Sequence, residues 1–322
     1  MTELELVLER LAQLPVAEVL VAGPVSPQVA EVVERRPGLA RLMETQPDPG
    51  IGARNDAAEA AAGEFLLMLD DDCYPMPGSI EALLRAFDGR PRLAVVGGLV
   101  REVDSRGRTI SEREPGTFDW FLRAGARGEP PPEGFATFFF PEGAAMIRRD
   151  AYLETGGFFE PYFLTVSELD LSTRLIAAGW DVRYLPTAAF HHLKHEPAVA
   201  EGESGVHANA ALENVRWTLR LRIRNQLWYF WLRFPQALAA RRIAAYLAFD
   251  LVECVYRGAP AAWTGGILDA WRERDRVRAA RHPLPREVLR RAELNRGRMH
   301  LRLLAAPPRQ WLRSLRSRLA GP

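Results

Sequence analysis

The 322 residues predict a layered, mostly parallel α/β sheet followed by a basic helical region, and three observations carry that prediction. Short apolar runs alternate with helical stripes over the first 190 or so residues, the pattern of strand–helix–strand units. One run, Phe65-Leu66-Leu67-Met68-Leu69, reads as a strand buried on both faces and stops abruptly at Asp70-Asp71-Asp72. Beyond residue 210 the alternation gives way to long arginine-rich helical stretches. The expected division is therefore a sheet domain over 1–210 and a basic helical region over 211–322.

The elements follow in order. Leu4, Leu6, Val7, Leu8, Leu11 and Leu14 form a helical stripe that ends before Pro15. Val16–Ala22 reads as a strand closed by the Gly23-Pro24 turn, Gln28–Arg35 as a helix and Leu39–Met43 as a second strand. A Pro/Asp/Gly loop over 47–52 leads into the Ala-rich helix Arg54–Ala62, with Gly63 as its C-terminal cap. After the acidic strand, Ser79 is the expected N-cap of a helix over Ile80–Phe87, and Leu93–Val100 is another strand. Glu112–Gly134 is rich in Pro and Gly and long enough to be a functional loop. Phe135–Phe140 and Gly143–Ile147 return to strand character, Leu169–Ala178 is helical up to Gly179, and Trp180–Leu185 is a short strand.

Composition narrows the class. Apolar content of 48% and charged content of 26% are those of a soluble globular protein. The net charge of +1 hides an asymmetry: residues 216–322 hold 23 arginines against seven acidic residues, which points to an anionic partner for that region. Cys73 and Cys254 are the two cysteines, with neither a zinc spacing nor a disulfide framework, as expected in a reducing cytoplasmic compartment. Met1–Gln13 is acidic and amphipathic, unlike a signal peptide. Leu227–Tyr256 is apolar, but Arg233, Pro235, Arg241, Arg242, Asp250 and Glu253 break it, so it suits a membrane surface and not a span.

The acidic strand end carries the chemistry. In α/β sheets ligands bind at the carboxyl ends of strands. Side chains alternate along a strand, so Asp70 and Asp72 point to one side. Two hard oxygen ligands there suit Mg²⁺ or Mn²⁺ completed by a substrate diphosphate.

Further segments turn the triplet into an ordered pattern. Gly52-Ala53-Arg54-Asn55 lies one helix upstream. Thr155-Gly156-Gly157-Phe158-Phe159-Glu160, then Ser167-Glu168-Leu169-Asp170-Leu171 with Arg174-Leu175, lie downstream. Gly179-Trp180-Asp181-Val182-Arg183-Tyr184-Leu185-Pro186 and His191-His192 close the series. In this order and spacing, over roughly residues 50–195, the chain resembles the family-2 glycosyltransferases, rhamnosyltransferases among them, which have a GT-A fold, a Rossmann-like layered sheet.

That resemblance implies inverting transfer of a sugar from a nucleotide-diphosphate donor to an acceptor hydroxyl. It implies that Asp72, with Asp70 and His192, holds Mn²⁺ or Mg²⁺. Arg54, Asn55, Asp70 and Asp71 face the donor, and Gly156, Gly157 and Trp120 border the acceptor. The family's Glu-Asp pair reads Ser167-Glu168 here, so Glu168 inherits the position of the general base and Ser167 lacks a carboxylate. Asp170 is expected to be structural, at the start of its helix. The Phe138–Phe140 run is expected in the core. Arg224-Asn225 followed by Leu227-Trp228-Tyr229-Phe230-Trp231 resembles a helix common after the catalytic domain in this family. Aromatics interleaved with arginine there, and again at Trp311 in Arg309–Leu319, suit an anionic membrane surface on its inner face.

The chain departs from the family at its start. The usual first strand, reading like Val-Val-Ile-Pro-Thr-Tyr-Asn, is absent. The next strand ends in Val21-Ala22-Gly23-Pro24-Val25-Ser26 instead of Asp-Asp-Gly-Ser. The expectation is a gap in the sheet or a rearranged edge. The acceptor implied is a glycan, a lipid-linked molecule or a small molecule, and no nucleic acid is expected because no binding motif accompanies the charge. Two other readings stand beside this one. One is a catalytically weak relative that binds nucleotide-sugars as a scaffold. The other is a sugar nucleotidyltransferase, which lacks support because no Gly-rich basic phosphate loop is present.

Overall fold

A computed structural model describes residues 2–45, 50–104, 106–113, 116–118, 124–126, 130–194 and 204–294. The N-terminal part runs α1 (Glu3–Leu11), β1 (Val19–Gly23), α2 (Pro27–Glu34) and β2 (Ala40–Glu44). Thr2 caps α1 through a reciprocal box with Glu5, and Ser26 caps α2 ahead of Pro27. A 3-10 turn, Gly50–Gly52, opens α3 (Ala53–Ala60), and β3 (Phe65–Leu69), β4 (Cys73–Pro75), α4 (Ser79–Phe87) and β5 (Leu93–Val103) follow. Next come β6 (Thr109–Arg113), the short pair β7 (Gly116–Phe118) and β8 (Ala124–Ala126), β9 (Phe135–Ala136) and β10 (Ala144–Arg148). Then α5 (Arg149–Glu154), α6 (Ser167–Ala177) and β11 (Asp181–Leu193) complete the α/β part. The C-terminal part is helical: α7 (Ser204–Arg233), α8 (Gln236–Tyr256), α9 (Pro260–Arg272), α10 (Asp275–Arg278) and α11 (Arg286–Leu294).

The main sheet is seven-stranded, with the path β3-β10-β5-β11-β4 and with β6 and β9 attached to β5 and β11. It is mixed where a mostly parallel sheet was expected. β10 runs antiparallel to both β3 and β5, β4 antiparallel to β11, and only β11 and β5 pair in parallel. The expected short strand at 180–185 continues to Leu193, through a register shift between Leu185 and Ala189 that carries the chain past Pro186. Of Phe135–Phe140 only the first two residues are strand; Phe138 and Phe140 are core.

β1 and β2 form a separate parallel pair. Among the described residues this pair joins no strand of the main sheet, and β3 pairs only with β10. Leu66 and Met68 are buried while Phe65, Leu67 and Leu69 are only half-buried, so one face of β3 is less covered than in a strand buried on both faces.

Two expected caps are corrected. Gly78, at φ 82°, is the N-cap of α4, while the Ser79 hydroxyl donates to the Ala189 carbonyl (2.8 Å) and accepts from its N–H (3.0 Å). At the end of α3 the cap is Ala61 in extended conformation, so Gly63 is not needed for a left-handed turn.

One apolar core runs through both parts of the chain. Leu169, Leu171 and Leu175 of α6 share it with Ile223, Trp228 and Phe230 of α7. The helical region thus packs directly against the helix that carries Glu168. No described helix is long and apolar enough to cross a membrane.

Candidate active site

The site forms where β3 ends. The β4–β11 ladder sets His192 opposite Cys73 and His191 opposite Tyr74, so alternation turns the two histidines to opposite faces. His191 meets the Tyr74 hydroxyl at 3.4 Å. His192 instead approaches Asp72, Nε2 to Oδ2 3.4 Å. Asp70, Asp72 and His192 each bring one ligand atom within 4.8 Å of the others.

This group fits a hard divalent cation. Its donors are two carboxylate oxygens and an imidazole nitrogen. Asp72 Oδ1 and His192 Nδ1 are buried and have no hydrogen-bond partner among the described residues. Burial raises the Asp72 pKa, the nearby His192 opposes that, and Asp70 and Asp71 add to it, so a bound cation would favour the ionised form. Asp71 is exposed and stands outside the group.

Arg54, in the first turn of α3, pairs through Nη2 with Asp70 Oδ1. Its Nε is buried and has no partner among the described residues, as suits an anion in the cleft. Asn55 faces the other way. Its Oδ1 accepts from the Tyr152 hydroxyl (2.6 Å) and the Phe158 N–H (2.9 Å), and its Nδ2 donates to the Phe158 carbonyl (2.9 Å) and Glu160 (3.2 Å). The amide is thereby committed to bracing the glycine turn and presents no spare donor to a nucleotide. Gly156 and Gly157 have φ of 75° and 61°, and a Cβ at Gly157 would overlap Asn55 Oδ1.

Glu168 lies at the start of α6 beside Ser167. The Ser167 hydroxyl donates to Glu142 Oε2 at 2.7 Å. Glu142 is the residue that sequence reasoning missed. It brings a carboxyl group beside Ser167. The available signal was a lone acid, Pro141-Glu142-Gly143, between two apolar runs. Burial first, and then the like charge of Glu142, pushes the Glu168 pKa up to about 8. Burial also raises Glu142, against Arg54 and the Ser167 hydrogen bond. The next residue ties this pair to the cation group: a Cβ on Gly143 would overlap the Asp70 carboxylate. The backbone at 142–143 therefore lies between Asp70 on one side and Ser167-Glu168 on the other.

Asp170 is fully buried and structural. Burial alone would raise its pKa, but Arg174 and Arg233 outweigh this and hold it below the ordinary carboxylate value. Arg174 Nε reaches Oδ2 at 2.7 Å and Arg233 Nε reaches Oδ1 at 2.6 Å. Arg174 also donates to the Gly157 carbonyl (2.5 Å), joining α6 to the glycine turn. Trp120 and the 309–319 segment lie outside the described residues.

The mixed α/β sheet is of the GT-A class and bears a carboxylate–imidazole group beyond the end of β3, with the Arg54 guanidinium beside it. Residues 26–156 match the family model for glycosyl transferase family 2, and the chain carries a family-2 glycosyltransferase domain. It is 28% identical over 197 residues to an N-acetylglucosaminyl-diphospho-decaprenol L-rhamnosyltransferase of Mycobacterium tuberculosis, covering 53% of this chain and 63% of that one. It is 30% identical over 140 residues to a pre-mycofactocin glycosyltransferase of the same organism, covering 44% of this chain and 29% of that one. The chain thus spans less than two thirds of the length of these relatives. The crystal structure of GalNAc-T7 with UDP, GalNAc and Mn²⁺ aligns at 15% identity and a TM-score of 0.49, over 64% of this chain and 40% of that one.

Proposed function

We propose that this protein transfers a sugar, with inversion, from a nucleotide-diphosphate donor to an acceptor hydroxyl in a divalent-cation-dependent reaction. The observation that carries this reading is the continuity of the site. Asp70 of the candidate cation group abuts Gly143, and Glu142 next to it bonds the residue preceding Glu168. The groups proposed for the donor and acceptor sides are thereby linked through residues 142–143.

Asp70, Asp72 and His192 would hold the cation, which when bound offsets the negative charge that develops on a departing diphosphate. Arg54 fixes Asp70 and places a permanent positive charge beside it. Glu168 takes the proton from the acceptor hydroxyl as that oxygen attacks the anomeric carbon from the face opposite the leaving group. Glu142, through Ser167, orients the helix start from which Glu168 projects. Asn55, Gly156 and Gly157 shape the turn beside it.

The acceptor class follows from two supports. The rhamnosyltransferase relative acts, by its name, on a diphospho-decaprenol-linked sugar. The helical region here exposes Val252, Val255 and Trp271 among its arginines, a composition suited to an anionic membrane surface. A lipid-linked acceptor met at the inner membrane face, in cell-surface glycan synthesis, is the reading these favour over a free glycan or small metabolite.

One observation favours the second reading, a weak relative that binds nucleotide-sugars without turning them over. β1 and β2 stand apart from the main sheet, where the family's first strand would join them. Donor hydrolysis or transfer separates the two. The enzyme reading expects cation-dependent release of nucleoside diphosphate, abolished by Asp72→Ala and by Glu168→Gln. Cation-dependent donor binding with no turnover would establish the scaffold.

A further inference from the structure

The loop that leads into Glu168 has a backbone its own sequence does not favour. Phe163, Thr165 and Val166 have φ of 66°, 62° and 67°, in the left-handed region. None is glycine, and two are β-branched, the residue type least able to adopt it. Such conformations persist only where the surroundings hold them.

Here the surroundings are two neighbouring residues of α7. The Asn225 amide nitrogen donates into a ring of oxygens: the carbonyls of Tyr162 (2.8 Å), Leu164 (2.6 Å) and Thr165 (3.1 Å), and the Thr165 hydroxyl (3.3 Å). Arg224 Nη2 donates to the carbonyls of Pro161 and Tyr162, both at 3.1 Å. Its Nε donates to Asn225 Oδ1 at 3.0 Å, which fixes which way the amide points. The remaining carbonyl, that of Phe163, accepts from the Ile51 N–H at 2.7 Å, at the turn that opens the Arg54 helix. Five successive carbonyls, 161 to 165, are thus each capped from outside the loop. Asn225 is completely buried and Arg224 nearly so, so water does not compete for these bonds.

We infer that Asn225, oriented by Arg224, is a positioning residue of the transfer reaction: it holds loop 161–166 in its left-handed form and so sets where Glu168 stands. This rests on the proposed role of Glu168 as base. It gives the helical region a part in catalysis. α7 reads the loop backbone on one side and, through Arg233, grips Asp170 two residues past Glu168.

The test uses the full chain and three variants. Asn225→Asp keeps the shape of the side chain but removes its donors. The expected result is a fall in kcat of tenfold or more with donor affinity unchanged, since a displaced base costs rate and not donor binding. Backbone amides of residues 164–168 should exchange hydrogen at least tenfold faster, while those of β5 stay as in the parent. Adding Thr165→Gly to Asn225→Asp should recover several-fold in kcat, because glycine adopts a positive φ without steric cost. A purely structural role for Asn225 predicts no such recovery. If Asn225→Asp does not fold, Arg224→Lys, which loses the fork to Pro161 and Tyr162, is read by the same exchange and rate measurements. Unchanged exchange over 164–168 together with unchanged kcat would overturn the inference. So would a loss of kcat that Thr165→Gly leaves where it was. Glu168→Gln is assayed in parallel. If it retains transfer, the base assignment fails, while the exchange rates still decide whether the clamp exists.

Discussion

Glu168, the proposed general base, has surroundings that disfavour its ionised form, and this has a measurable consequence. A base must be ionised to accept a proton, and Glu168 titrates at about 8 against an ordinary 4.5. At pH 6 about 1% of it would be ionised, and at pH 8 about half. The sign is therefore that of a rate rising with pH: kcat/KM should climb about 50-fold from pH 6 to pH 8, where an ordinary glutamate would give a flat profile. Burial is the larger cause and the neighbouring Glu142 the second. Glu142→Gln keeps an acceptor for the Ser167 hydroxyl but removes the like charge, so the rising limb should move to lower pH, while burial, the larger cause, keeps it above the ordinary glutamate range. The assay is initial-rate release of nucleoside diphosphate at saturating Mn²⁺, measured for parent and variant across pH 5.5–9. A flat profile in the parent between pH 6 and 8, or a limb that Glu142→Gln leaves in place, would refute the reasoning.

Other outcomes follow from the same geometry. Asp170→Asn leaves the buried Arg233 and Arg174 without their counter-charge and should cost about 3–5 kcal/mol in urea unfolding. Because the Asp170 pKa is lowered by folding, its contribution is present above the ordinary carboxylate range and is lost as pH falls through the folded value; parent and variant should converge in stability in acid. Gly157→Ala forces a side chain into a left-handed backbone and against Asn55, and should lower stability by at least about 2 kcal/mol in the same experiment. His192→Ala removes the proposed nitrogen ligand and should raise the Mn²⁺ concentration for half-maximal activity by about tenfold or more.

Much of this was legible in the sequence, for identifiable reasons. The strand ending in Asp70-Asp71-Asp72 announced itself because five apolar residues meeting three carboxylates is a sharp local boundary. His192 was named through the family resemblance, and the β4–β11 register and its contact with Asp72 set it in the group. What the sequence hid was non-local. Glu142 lies 25 residues from Ser167, and nothing in the spacing says that the two meet. Strand direction was hidden too, since an apolar run such as Ala144–Arg148 looks the same parallel or antiparallel. Asn55 matched a motif, but its four hydrogen bonds are set by the fold of the glycine turn about a hundred residues away. The left-handed run at 163–166 carries no glycine to betray it.

The central claim is that Asp70, Asp72 and His192 hold a cation that a nucleotide-sugar donor shares. The most direct test is the thermal stability of the parent chain with UDP-, GDP- and dTDP-sugars, each with and without Mn²⁺, repeated on Asp72→Ala. The account predicts that one donor raises Tm only when Mn²⁺ is present, and that Asp72→Ala abolishes the rise. A donor that stabilises the chain equally without Mn²⁺, or equally in Asp72→Ala, would contradict it.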